Sequence, residues 1–211
     1  HYFEEICKVP RPSKKEEKII AYLMNFAEEH GLEAKKDEAG NILIKKPATP
    51  GKENLKTVIL QSHIDMVCEK NSDSNHDFLN DPIETYIDGE WLKAKGTTLG
   101  ADNGIGVATQ LAILAANDIE HGPIECLFTV DEETGLTGAF ALKEGFMDGD
   151  ILINLDSEDE GELFIGCAGG VCNYAEFKHM WTNISGDMFY MKVDINGLTG
   201  GHSGDDINKN R

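Results

Sequence analysis

Ile124-Glu125-Cys126-Leu127-Phe128-Thr129-Val130 runs straight into Asp131-Glu132-Glu133-Thr134-Gly135, so an apolar stretch stops on three consecutive acids. A short apolar run bounded by a turn signal reads as a buried strand. The same pattern recurs on either side of it. Thr57–Leu60 leads into Ser62-His63-Ile64-Asp65, and Ile151–Leu155 ends on Asp156. A fourth segment, Gly100-Ala101-Asp102-Asn103-Gly104, instead opens a helical pattern at Ile105. Acids and a histidine thus stand where strands stop. In an open α/β sheet, sites form in the crevice beyond those strand ends.

Helical signals separate the strands. Ser13-Lys14-Lys15-Glu16 has the spacing of a capping box, in which Ser13 satisfies an early backbone N–H and Glu16 reaches back. Behind it Ile19, Leu23, Phe26 and Ala27 recur at helical spacing, and Gly31 supplies a stop. Glu33–Lys36 and Asn41–Lys45 read as two strands about a turn. Ile105, Ala108, Ala112 and Leu114–Ala115 mark a second amphipathic helix, and Thr137–Glu144, closed by Gly145, a third. The alternation predicts an α/β fold with a mostly parallel sheet flanked by helices.

The composition changes near Gly166-Cys167-Ala168-Gly169-Gly170. Two strand-like runs follow, Val171–Lys178 and Met188–Ile195, with no helix between them. We therefore expect a site-bearing domain over residues 1–170 and the beginning of a smaller α+β domain over 171–211. Asp206–Arg211 looks like the opening of a helix with nothing to pack against, and His1 is not a natural start. The expectation is a piece of a longer protein.

A chain of 211 residues can bury one sizeable core. Its 38 acidic residues against 19 Lys and Arg give a net charge of −19, which argues against nucleic acid or an anionic membrane as partner. No apolar stretch approaches the ~18 residues of a membrane helix, and no signal peptide opens the chain. The five cysteines, at 7, 68, 126, 167 and 172, are odd in number and form no C-x-x-C pair. Reduced thiols and a cytoplasmic location fit best. Cys126, within an apolar run, reads as a small hydrophobe.

The chemistry lies in the strand-end residues. His63 and Asp65, two apart on an extended segment, point to the same side. Asp65 can then accept the second N–H of the imidazole and fix its tautomer; a surface histidine is the plainer alternative. Asp102 sits among Gly100, Gly104 and Gly106, which permit close approach to an ion, although Asp is also a common helix N-cap. Glu132 and Glu133 are adjacent, so their side chains diverge. One can ligate metal while the other moves a proton; two exposed glutamates in a turn is the alternative. Asp156 adds one more carboxylate at a strand end. Acids converging on one crevice would repel each other unless cations held them, so metal is the economical explanation. Asp73, Asn75, Asp77 and Glu84 match part of an EF-hand loop, but Phe78 replaces its glycine and Pro82 intrudes. Gly201-His202-Ser203-Gly204 fails the nucleophile-elbow pattern at Asp205.

Taken in order, Ser62-His63-Ile64-Asp65, Gly100-Ala101-Asp102, Asp131-Glu132-Glu133 and Asn154-Leu155-Asp156 resemble the M20 family of co-catalytic zinc peptidases. Gly96–Gly106, Gly161–Gly170 and the stretch from His76-Asp77-Phe78 to Asp88-Gly89-Glu90-Trp91 are similar to its aminoacyl-histidine dipeptidase branch. The resemblance covers essentially the whole chain. It implies a zinc-peptidase-type catalytic domain over 1–170 and a lid and dimerisation domain beginning at 171. It implies two zinc ions per complete subunit, with cobalt or manganese as alternative metals. His63 and Asp156 would hold one ion, Asp102 would bridge both and Glu133 would hold the other. Asp65 would orient His63, and Glu132 would be the general base.

Gly200-Gly201-His202-Ser203 resembles the family's lid motif, whose histidine binds substrate and steadies the developing oxyanion, often from the partner subunit of a homodimer. The family's last zinc ligand is a histidine after the lid, and this chain stops inside the lid. That implies a fragment inactive by itself. The implied reaction is hydrolysis of small peptides, dipeptides of Xaa-His type above all. An amidohydrolase acting on N-acyl amino acids and a non-catalytic binding module on the same fold are the alternatives. Glu132 speaks against the last, since a pure binder needs no proton shuttle.

Overall fold

The computed structural model describes residues 1–157, 161–166, 173–180, 183, 186–187, 189–195, 197, 199 and 207–209. The chain divides into two compact units, His1–Phe164 and Ile165–Arg211.

In the first unit the elements run α1 (Tyr2–Cys7), α2 (Glu17–Glu29), β1 (Glu33–Lys36), β2 (Ile42–Lys46), β3 (Val58–His63), β4 (Thr85–Asp88), β5 (Trp91–Ala94), α3 (Ala101–Ala115), β6 (Ile124–Thr129), α4 (Thr137–Ala141) and β7 (Ile151–Asn154). Five strands form one sheet in the order β1-β2-β6-β3-β7, and β4 with β5 makes a separate hairpin. The β6–β3 and β3–β7 pairs are parallel, while β2 runs antiparallel to both β1 and β6. Four of the five strands therefore point the same way, and the sheet is mainly parallel with one reversed strand.

Period-two alternation sorts each strand's side chains between two faces. Ile42, Ile44, Leu60, Cys126 and Phe128 join Phe3, Ile6, Ile19, Leu23, Phe26, Val107, Leu111 and Leu114 in the main core beneath α1, α2 and α3. Leu43, Ile59 and Leu127, from the alternate positions, form a smaller cluster with Leu142, Phe146 and Met147. At the sheet edge, β7 leaves Ile151, Leu152 and Ile153 at 42%, 51% and 43% exposure. Among the described residues no helix is long and apolar enough to cross a membrane. Cys7, Cys68 and Cys126 are free thiols.

Helix α2 buries Ile19, Leu23, Phe26 and Ala27 as its spacing predicts, and Gly31 follows it with φ +64°. Three local expectations are corrected. The capping box at Ser13 does not form: α2 starts at Glu17, and neither side chain caps it. The Ser13 hydroxyl donates to Asp65 Oδ2 (2.7 Å), while Glu16 Oε1 accepts from the amides of Lys14 and Asp131. Asp65 and the Asp131 amide, both distant in sequence, thus engage the two side chains. Helix α3 turns a different face inward from the one expected. It buries Gly104, Val107, Leu111 and Leu114, and leaves Ile105 55% exposed. The reason is close packing at its glycines, where a Cβ on Gly104 would lie 2.9 Å from Phe3 and one on Gly106 2.9 Å from Ser62. Helix α4 ends at Ala141, because Leu142 turns extended (ψ 129°) and packs on the smaller cluster.

In the second unit the described parts of the two expected strands, residues 173–178 and 189–195, carry no strand, while residues 171, 172 and 188 lie outside the described residues. A 3-10 turn spans Ile207–Lys209.

Candidate metal centre

Strands β3, β6 and β7 end side by side, with His63 paired to Thr129 and Gln61 paired to Asn154. The residues at and just beyond those ends are His63 to Asp65, Asp131 to Glu133, and Asp156. Helix α3 brings Asp102 to the same place, since Asp102 and Asn103 depart from helical φ/ψ and the regular helix begins after them.

His63 is 1% exposed, which removes the surface-histidine alternative. Its two nitrogens face different partners. Nδ1 lies 3.3 Å from Asp65 Oδ1, while Nε2 lies 3.0 Å from Asp102 Oδ1 and 3.5 Å from Asp156 Oδ1. Burial disfavours the imidazolium, but hydrogen bonds with Asp102, Asp156 and Asp65 outweigh it and push its pKa up to about 12. Nε2 thus faces two carboxylates that favour positive charge at that point.

Asp65 is the hub of the site. It is fully buried and accepts from the Ser13 hydroxyl and from the backbone N–H groups of Glu132 (3.0 Å) and Glu133 (3.2 Å). Burial alone would raise its pKa, yet the hydrogen bonds from His63, the Glu132 amide and Ser13 hold it at about 2. Asp131 turns away from this centre. Its φ is +51°, and its carboxylate accepts from the hydroxyls of Thr134 and Thr137. A local turn fastened to its own threonines aims the two glutamates that follow. Both are half-buried. Burial raises their pKa values; the nearby His63 opposes the shift and neighbouring carboxylates add to it.

Ligand atoms of His63, Asp102 and Asp156 lie within 4.8 Å of one another, as do those of His63, Glu132 and Glu133. The donors are imidazole nitrogen and carboxylate oxygen, a set suited to zinc and other divalent ions. Five carboxylates surround one histidine, and divalent charge would offset their repulsion. The donor chemistry therefore fits a metal. No such group among the described residues joins Asp102 to Glu133, and Glu132 and Glu133 share the same group. A further buried trio, Glu16, Asp65 and Asp131, backs the site. His202 lies outside the described residues.

Three supporting residues were not singled out for these roles from sequence. Ser13 and Glu16 had been assigned to a helix cap. Arg11, 3% exposed, had no role at all. The hint was the polar Arg11 and Ser13 beside prolines just before an amphipathic helix, a signal too generic to read alone. Asp77, from the EF-hand-like spacing, accepts from Leu79 N and Asn80 Nδ2 in its own turn.

Known proteins are similar to this chain in sequence and in fold. The chain is 51% identical over 206 residues to the cytosol non-specific dipeptidase of Escherichia coli strain K12, covering 97% of this chain and 42% of that protein. Among solved structures, the aminoacylhistidine dipeptidase of Vibrio alginolyticus matches with TM-score 0.74 and 60% identity, covering 76% of this chain and 33% of that one. Aminopeptidase PepT of Bacillus cereus matches with TM-score 0.63 and 28% identity, over 74% of this chain and 42% of that one. The chain thus spans less than half the length of each of these relatives. Residues 59–196 match Peptidase family M20/M25/M40, and the chain belongs to that family.

Proposed function

We propose that this chain carries most of the metal-binding and proton-transfer residues of a dipeptidase. The observation that carries the reading is the two-sided engagement of His63, with Asp65 at Nδ1 and two carboxylates at Nε2. A histidine held this way presents one ring nitrogen to a metal in a fixed direction. The names of the E. coli and V. alginolyticus relatives support dipeptides as substrates. We take Xaa-His dipeptides as the preferred class and the cytoplasm as the location.

His63 and Asp156 would hold one zinc ion, Asp102 would serve both ions and Glu133 would hold the second. When bound, zinc supplies a Lewis acid for the scissile carbonyl and lowers the pKa of water. Glu132 takes the proton from the attacking water and returns it to the leaving amine, a role its raised pKa suits. Asp65 keeps the His63 ring in place through the cycle. His202 donates to the developing oxyanion, delivered by domain closure or by the second subunit of a homodimer.

A chimaera tests the reading. This chain replaces the corresponding residues of the E. coli relative, and the zinc-loaded product is assayed on dipeptides, Xaa-His among them, and on N-acyl amino acids. Dipeptide hydrolysis is the expected result. Preference for N-acyl amino acids would replace the reading with an amidohydrolase, and bound zinc without any hydrolysis would leave a binding module.

A further inference from the structure

Arg11 lies in the connection between α1 and α2 and is 3% exposed. Its guanidinium hydrogen bonds go to main-chain oxygens at two separate places. Nη1 donates to Ile64 O (3.2 Å) and Asp65 O (3.0 Å), and Nη2 donates to Gly100 O. The backbone is tied as well: Met66 N donates to Arg11 O (3.2 Å), and Pro12 bridges Met66 in parallel. Residues 11 and 12 therefore lie alongside 64 to 66 as a short extension of the sheet's pairing.

The far end of the guanidinium occupies a slot that two glycines leave open. A Cβ on Gly100 would come 2.5 Å from Nη2, and one on Gly104 2.8 Å, where ordinary contacts begin at 3.4 Å. These glycines bracket Asp102, and the other anchor, Ile64 and Asp65, directly follows His63. We infer that Arg11 is a positioning residue of the metal site, pinning the strand end that carries His63 to the helix start that carries Asp102. It thereby sets the 3.0 Å separation between His63 Nε2 and Asp102 Oδ1.

The side-chain chemistry supports this. A buried cation costs free energy unless its donors are satisfied, and an apolar residue would fill the space without that cost. A planar fork spreads its donors over separate nitrogens and so reaches three carbonyls at two places, whereas an ammonium gathers its three donors on one atom. The charge of Arg11 also acts on the carboxylates of Asp65 and Asp102, which lessens repulsion among the acids.

The inference rests on the metal-site reading above, and cobalt(II) titration followed by visible absorption separates the two. Arg11→Lys keeps the charge and loses the fork. It should weaken cobalt binding by about 10- to 100-fold, the range typical of lost outer partners of a metal site, and shift the absorption band at saturation. Leu23→Ala is the control for lost stability, since Leu23 is fully buried in α2, which packs on β1 and β2. It should melt earlier yet keep wild-type affinity and spectrum. If Arg11→Lys does not fold, Gly104→Ala decides, because it crowds the guanidinium with Arg11 retained and should also weaken binding. Wild-type affinity and spectrum in the folded Arg11 or Gly104 variant would overturn the inference. So would an equal loss of affinity in Leu23→Ala. No cobalt binding by the unaltered protein would overturn both the inference and the reading it rests on.

Discussion

Asp65 Oδ1 lies 3.3 Å from His63 Nδ1, and the same carboxylate takes the amides of Glu132 and Glu133 at 3.0 and 3.2 Å. One buried group therefore orients the histidine and fixes the position of both glutamates. Replacing it should damage metal binding although it is not itself placed as a ligand. Asp65→Ala should lower zinc affinity by about 10- to 100-fold, measured by competition with a chromophoric chelator. Unchanged affinity would count against the hub.

Glu132 and Glu133 share one cluster in the structure, so their proposed roles separate only by experiment. In the chimaera, Glu132→Gln should keep its zinc and lose about 10²- to 10⁴-fold in turnover. Glu133→Gln should lose zinc first and activity as a consequence. Metal analysis beside steady-state rates decides it, and equal zinc loss in both variants would remove the distinction.

Lys46 caps the far end of α3. Its Nζ donates to the main-chain oxygens of Ile113 (2.7 Å), Leu114 (3.1 Å) and Ala116, where the helix dipole places partial negative charge. Lys46→Met should lower stability by about 1–2 kcal/mol, read from the midpoint of urea unfolding. Metal affinity should hold, because Asp102 sits at the opposite end of the helix.

Cys126 provides an alkaline test of the core. Burial pushes its thiol up to about 12 from an ordinary value near 9. Below pH 9 the thiol is protonated in both folded and unfolded chains, so its contribution to stability is fully present. Between pH 9 and about 12 the unfolded chain ionises first, and stability falls by roughly 1.4 kcal/mol per pH unit. Subtracting the unfolding curves of Cys126→Ala from those of the unaltered protein should isolate that slope. A flat difference would show that the thiol ionises equally in both states.

The strand ends were legible because burial and chemistry coincide there. An apolar run must stop where it leaves the core, and His63, Glu132, Glu133 and Asp156 mark those stops in one dimension. The α2 stripe was legible for the same reason. The capping box misled because Ser13 and Glu16 have local and tertiary options of similar strength, and only the fold brings Asp65 and the Asp131 amide within reach. Helix α3 kept its place but not its predicted face. Ile105 outweighs a glycine in any hydrophobic pattern, yet glycine lets the helix approach Arg11 and Phe3. Arg11 was invisible because its partners are main-chain oxygens, which carry no sequence signature.

Among the described strands, β7 pairs with β3 alone, and Asp156 hangs two residues beyond its end. A four-residue strand with one neighbour is the part of a sheet most prone to fray. An ion gripped by His63 and Asp156 would lace that edge to the adjoining strand, acting as a fastening as well as a reagent. Metal addition should then slow amide hydrogen exchange along Ile151–Asn154, and chelation should let this margin of the sheet come loose first.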